Sequence, residues 1–249
     1  MKPFLILCFL VSASIQASDQ ISVSSKPFQL PVVELYTSEG CSSCPPADEW
    51  LASLKEMSDK GLDVLPLAFH VDYWDYIGWK DRFASPANTS RQRLLGANNR
   101  QTSIYTPEFF VDGKEARGTR SVISAIETSS QLAVQIRLDM AVKSVGNELM
   151  VELDSEGQDS NRLHHRFFVY ENNLESRVLK GENAGEHLKH QAVVRYMSPA
   201  KTLQNANFHK IPIDKRWNTS QVGIAAVITT PGSDRYLQAI HTPLSELFN

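Results

Sequence analysis

A chain of 249 residues exceeds the usual single-domain size, so two domains of roughly 100 to 120 residues, each able to bury a core, are the first expectation, with one large domain as the alternative. The net charge of -3, without a long run of Lys or Arg, is the wrong electrostatic footprint for a protein that grips nucleic acid or an anionic membrane.

The amino terminus reads Met1, Lys2, the apolar run FLILCFLV from Phe4 to Val11, then small and polar residues through SASIQAS. This is the layout of a secretory signal peptide over 1–17, with cleavage expected near Ala17. The run is too short to span a bilayer, and no later segment reaches about 18 consecutive apolar residues, so no membrane insertion of the mature chain is expected. Cys8 leaves with the leader. Cys41 and Cys44 then remain in an exported, periplasmic or secreted protein, where disulfides persist.

Residues 31 to 36, PVVELY, form a short apolar strand pattern, and ADEWLASLKEM from Ala47 carries Trp50, Leu51, Leu54 and Met57 at helical spacing. Pro45 and Pro46 fit only a helix's first turn, so the helix begins close to Cys44. LDVLPLAFH, 62 to 70, suits a strand buried on both faces. The aromatic segment VDYWDYIGWKDRF follows, then a second helix with Ser85 as N-cap, Pro86 at the first helical position and Gly96 near the end. TPEFFVDGKEARG reads as a hairpin turning at Asp112-Gly113, and 119 to 132 as a third helix with Val122, Ile123 and Ile126 on one face. Beyond 133 the text alternates apolar and polar residues around Gly146-Asn147, with further strand patterns at 164–171, 191–197, 208–213, 222–230 and 235–240. About seven strands point to a β-sandwich-like domain over 134–249.

The CSSC pair sits between a strand and a helix. A disulfide closing a loop of two residues removes little disorder from the unfolded chain and is a poor staple. A lone C-x-x-C supplies only two of the four ligands a zinc site ordinarily needs. Redox chemistry, a non-catalytic disulfide and metal binding remain open on these residues alone. At a helix N-terminus, unpaired N–H groups and the positive dipole end favour the Cys41 thiolate, while Glu39 opposes it.

CSSC in this position, followed by IYTPEFFVDG, resembles the thioredoxin superfamily. ELYTSEGCSSCPPAD, FHVDYWDYIGWKD and GENAGEHLKHQAVVR resemble, more narrowly, a family of secreted bacterial thioredoxin-like proteins known only as a domain of unknown function. The resemblance implies a thioredoxin-like α/β domain over 28–132 and a thiol–disulfide oxidoreductase that needs no cofactor beyond a redox-active Cys41–Cys44 disulfide. It implies an exposed Cys41 as nucleophile, Cys44 as resolver, and a protein thiol or disulfide of the cell envelope as partner. Thr106 and Pro107 would form a cis step facing the sulfurs. Glu34, aligned with one inserted residue, falls where thioredoxin keeps a buried Asp, and would hold a raised pKa and move the resolving cysteine's proton; its alternative is a strand-end carboxylate reaching solvent or an Arg. Gly40 and Ser42-Ser43 depart from thioredoxin's Trp and Gly-Pro.

Tyr73, Trp74 and Trp79, with Tyr76, lie after the second parallel strand, on the sheet edge where functional loops gather. They would receive a peptide or shield the disulfide, or else plug the sheet end. His70 with Cys41 and Cys44 offers a soft metal set as a third reading. His187, His190, His164 and His165 read as solvated or capping. The second class of function is an envelope binding or scaffold protein with a permanent disulfide.

Overall fold

The computed structural model describes residues 20–59, 61–157, 162–204 and 206–248; the expected leader, 1–17, lies outside them. The chain is a mixed α/β protein with several sheets and few helices. Its elements are β1 (Gln20–Ser24), β2 (Val32–Thr37), α1 (Pro45–Ser53), α2 (Lys55–Asp59), β3 (Leu65–His70), α3 (Pro86–Asn98), β4 (Glu108–Val111), β5 (Lys114–Glu115) and α4 (Thr119–Ser129). There follow β6 (Ile136–Val145), β7 (Glu148–Gly157), β8 (His164–Glu171), β9 (Leu174–Arg177), β10 (His187–His190), β11 (Val193–Met197), β12 (Lys201–Thr202), β13 (Ala206–Pro212), β14 (Val222–Thr229) and β15 (Tyr236–Pro243).

The central sheet runs β15-β14-β8-β11-β3-β2-β4-β5, with β12 on β8. Every residue of β2 is buried, as a strand covered on both faces requires. One face carries Val33, Leu35 and Ala68 under α1 and α4; the other carries Val32, Tyr36, Leu67 and Phe69 under α3. β2 and β3 are parallel, with Val32 opposite Leu65 and Thr37 opposite His70. The hairpin of β4 and β5 turns at Asp112 and Gly113, both at positive φ (50° and 78°), the two-residue geometry that Asp-Gly supplies. Ser85 caps α3, its Oγ accepting from Ala87 N–H at 3.2 Å. The helix expected from Ala47 to Met57 is interrupted at Leu54 between α1 and α2.

A second sheet, β1-β6-β7-β13, lies against β8, β14 and β15 and shares with them a core of residues such as Leu138, Val151, Phe167, Ile224 and Ile240. The strands expected after 134 are present, and β6 and β7 turn at Gly146-Asn147. The division at 132 and 134 does not coincide with a break between sheets. β11 joins β3 in parallel through Val193 and Ala68, so β8, β14 and β15 extend the sheet begun by β2 and β3, and β1 reaches across to pair with β6. β9 and β10 form a separate ribbon. α1 packs against β10 as well as β2 and β3, which brings the later half of the chain to the cysteines.

Candidate functional site

Cys41 and Cys44 form a disulfide at the start of α1, with Cys44 at the N-cap and Pro45 and Pro46 opening the helix. Cys41 is 1% exposed and Cys44 0%, which corrects the expectation of an exposed Cys41. A strap from the β9–β10 connection accounts for part of the burial. Asn183 Nδ2 donates to the carbonyls of Glu39 (2.9 Å) and Cys41 (3.0 Å). Glu182 Oε2 accepts from Ser42 N–H (3.1 Å) and Ser42 Oγ (2.7 Å). From the other side comes the aromatic segment: a Cβ on Gly40 would fall 3.2 Å from both Ile77 Cδ1 and Trp74 Cβ. Thioredoxin's Trp at this position has no room here. Gly181, at positive φ, brings the strap's backbone equally close to Ile77.

Trp74 lies between Gly40 and the loop before β4, its Nε1 donating to Thr106 Oγ1 at 2.7 Å. The Thr106-Pro107 bond is cis. Trp79 Nε1 donates to Glu39 Oε2 at 2.7 Å, while Tyr73 and Trp74 pack on the core under α3. All three rings are half-buried; Tyr76, 82% exposed, is the aromatic of this segment that faces solvent.

Glu34 is fully buried, but its surroundings differ from those expected of a proton shuttle. Side chains alternate along a strand, so Glu34 shares the α3 face with Val32 and Tyr36. α1, which carries Cys44, covers the opposite face. On its own face Glu34 meets Arg91 of α3 through two bonds of 2.8 Å and accepts from Tyr36 (2.8 Å) and Tyr236 (2.7 Å) hydroxyls. Burial opposes its charge, yet the Arg91 guanidinium and these donors hold the carboxyl below its ordinary value. The raised pKa expected of Glu34 is thereby corrected: it is an ion-pair member.

The face that α1 covers holds a different set of titratable groups. Asp48 lies one helical turn beyond Cys44, is 9% exposed, and accepts from Thr37 Oγ1 at 3.0 Å. Burial pushes its carboxyl up to about 6, against the pull of His70 and His190. His70, at the end of β3, directs Nδ1 to Asp81 Oδ2 at 2.6 Å; burial disfavours its cation, but Asp81 holds its pKa above the ordinary value. Asp81, disfavoured by burial, is in turn kept low by His70 and by the N–H groups of Glu39 and Phe83. His190 of β10 is buried, places Nε2 3.3 Å from Glu39 Oε1, and meets the His70 ring edge-on at 4.8 Å. His190 is thus neither solvated nor capping, unlike His187 beside it, which is exposed. His165 is likewise buried, its Nε2 2.7 Å from His209 Nε2.

The soft set of Cys41, Cys44 and His70 is not assembled: the two sulfurs are bonded to each other, and among the described residues no group of three or more His, Cys, Asp or Glu has the geometry to hold a metal ion. Among them, too, no helix is long and apolar enough to cross a membrane. Asp48, which the sequence places only near the positive end of the helix, was not expected at the site, and neither were Asp81, Asn183 and Arg91. Asp48 carried a usable signal, its i+4 spacing from Cys44 on one helix face; the others are united with the site only by tertiary pairing.

The fold and site define a mixed α/β protein with a covered Cys-x-x-Cys disulfide at a helix start. Its family model, described as a protein of unknown function (DUF1223), matches residues 32–229, and the chain belongs to that family. No curated protein matches it. Among solved structures it is similar to the Agrobacterium tumefaciens protein AGR_C_4864, at 26% identity and a TM-score of 0.60 over 89% of this chain and 96% of that one. It is also similar to HBP35 of Porphyromonas gingivalis, at a TM-score of 0.66 over 88% of this chain and 76% of that one; at 14% identity this likeness is one of fold.

Proposed function

We propose that the protein is an exported thiol–disulfide oxidoreductase with a thioredoxin-like arrangement of β2, α1, β3, α3, the β4–β5 hairpin and α4, Cys41 acting as nucleophile and Cys44 as resolver. The observation that carries this reading is the Cys41–Cys44 bond at the start of α1, at the carboxyl end of parallel strands. A two-residue loop adds little stability through chain entropy, and a helix start favours thiolate, so the position suits exchange better than stapling. The partner is a protein thiol or disulfide of the periplasm or secreted space, and the electrons reside on the two sulfurs. Cys41 becomes accessible when the strap of Glu182 and Asn183 yields to the partner.

The burial of Cys41 favours a second reading, a permanent disulfide within an envelope binding protein. An equilibrium redox titration of the pair against glutathione or dithiothreitol, with Cys44→Ser used to trap a mixed disulfide, separates the two. A potential of roughly -120 to -270 mV with a trapped partner supports exchange. A value below about -300 mV with no trapped species supports the permanent disulfide.

A further inference from the structure

The role that Glu34 vacates needs another occupant if Cys44 is to resolve a mixed disulfide. Cys44 is fully buried, so water has poor access to its thiol. The side chains on its own face of the sheet are Thr37 and His70, since β2 and β3 present Val33, Leu35, Thr37 and Ala68, His70 toward α1. Asp48 sits on α1 four residues after Cys44, its amide donating to the Cys44 carbonyl at 3.1 Å, and Thr37 holds its carboxylate. Behind it stand His70 from β3, His190 from β10, Asp81 from the loop before α3, and Glu39 from the loop before Cys41. His70 Nε2 and both ring nitrogens of His190 are buried and have no hydrogen-bond partner among the described residues. Three imidazole nitrogens are thus left without hydrogen-bond partners beside a buried carboxyl, His190 Nε2 lying 3.3 Å from Glu39 Oε1.

Building on the exchange reading above, we propose that Asp48 is the proton acceptor for Cys44, backed by the His70–Asp81 and His190–Glu39 pairs, in the resolving step. Cys41, having given its proton to solvent, attacks a partner disulfide as the thiolate, one partner sulfur leaves as thiolate, and Cys41 is joined to the other. The Cys44 thiol gives its proton to the Asp48 carboxylate. Its sulfur attacks Cys41 Sγ, the Cys41–partner bond breaks, and the second partner sulfur leaves as thiolate. The protein dithiol is oxidised by two electrons and the partner disulfide reduced by two, and the proton on Asp48 passes to the departing thiolate or to water. Ionisation of Asp48 near pH 6 places its carboxylate in the accepting form at neutral pH. His70⁺ and His190⁺, when protonated, favour that form, and Asp81 disfavours it.

The test uses the reduced full-length protein and Ellman's reagent, an aromatic disulfide whose two thiolates are released one per step. In the wild type the second release rises with pH through about 6 and levels off, following Asp48. In Asp48→Asn the first release is unchanged, while the second slows by about 100-fold and rises only towards the ordinary thiol range. Thr37→Val, which removes the donor to the carboxylate, moves the wild-type inflection upward and decides the matter if Asp48→Asn does not fold. An Asp48→Asn second phase with wild-type rate and pH profile overturns the proposal, as does an unmoved inflection in Thr37→Val. A wild type that releases neither thiolate overturns the exchange reading itself and this proposal with it, an outcome distinct from exchange that ignores Asp48.

Discussion

Glu34 and Asp48 are two buried carboxylates on opposite faces of one sheet, and their surroundings drive them in opposite directions. Glu34 has a dedicated cation in Arg91, itself buried, and folding lowers its pKa. It therefore contributes stability that is present above the unfolded carboxylate range and is lost as pH falls through the folded value. Glu34→Gln leaves the buried Arg91 charge with Asp234, 3.9 Å away, as its remaining carboxylate, and an expected loss of about 3–5 kcal/mol in urea denaturation would accompany unchanged thiol chemistry at Cys44. Asp48 has no cation of its own and binds its proton more tightly folded than unfolded, so its share of stability declines from about pH 4 to about 6. Asp48→Asn, able to keep the Thr37 bond, is expected to be more stable than wild type at pH 7 by on the order of 1–3 kcal/mol, with no difference near pH 3. Urea titrations at the two pH values check this. The resemblance to thioredoxin implied a buried acid at Glu34, or else a carboxylate reaching solvent or an Arg; Glu34 is buried against Arg91 and, because side chains alternate along a strand, lies on the face away from α1. The choice between Glu34 and Asp48 rests on which face α1 covers, which is a tertiary fact.

At the scale of elements, β2, β3, α3 and the β4–β5 hairpin were legible because each carries its own punctuation: continuous apolar runs, a Ser-Pro helix start, an Asp-Gly turn. The β9–β10 ribbon was not. Its strands alternate weakly, and the piece that matters, Gly181 to Gly185, holds the disulfide loop through hydrogen bonds that no local pattern foretells. Those bonds give the strap a measurable role. Asn183 is 5% exposed and links two carbonyls, whereas Glu182 is exposed and meets Ser42 at the surface. Removing buried hydrogen bonds costs about 1–3 kcal/mol. Asn183→Ala should then raise the open population, and with it the rate at which a phosphine reduces Cys41–Cys44, by roughly 5- to 100-fold. Glu182→Gln should change that rate by less, since water already competes for its carboxylate. Equal rates in wild type and Asn183→Ala would show that reduction does not wait on the strap.

For the molecule as a whole, the central sheet is drawn from both halves of the chain, and the reason lies in β3. In the first half alone β3 would be an edge, with an apolar run buried at every residue but Pro66, ending in His70, and no partner on one side. β11 fills that side in parallel, β8 pairs with β11, and β14 and β15 follow. The α3-face core is correspondingly shared: Val32, Phe69 and Phe110 pack with Phe168, Val194, Val227 and Tyr236. Polar bonds tie the same join, since Tyr236 donates to Glu34 and Gln238 Oε1 accepts from Leu30 N–H at 3.1 Å. Composition and strand patterns foretold both an α/β half and a β-rich half, but the pairing of residues more than 100 apart leaves no periodic trace in either. Cutting the chain after 132 would expose β3 and one face of the core together and strip Glu34 and Arg91 of Tyr236. A fragment of residues 20–132 is therefore expected to lack fixed tertiary packing: weak near-ultraviolet dichroism, and a broad urea transition where the full chain shows a cooperative one. The full chain, by contrast, should give coincident transitions by tryptophan fluorescence and far-ultraviolet dichroism. Two separated transitions in the full chain, or a cooperative one in the fragment, would mean that the first half carries a sufficient core and that the later strands serve the cysteines alone.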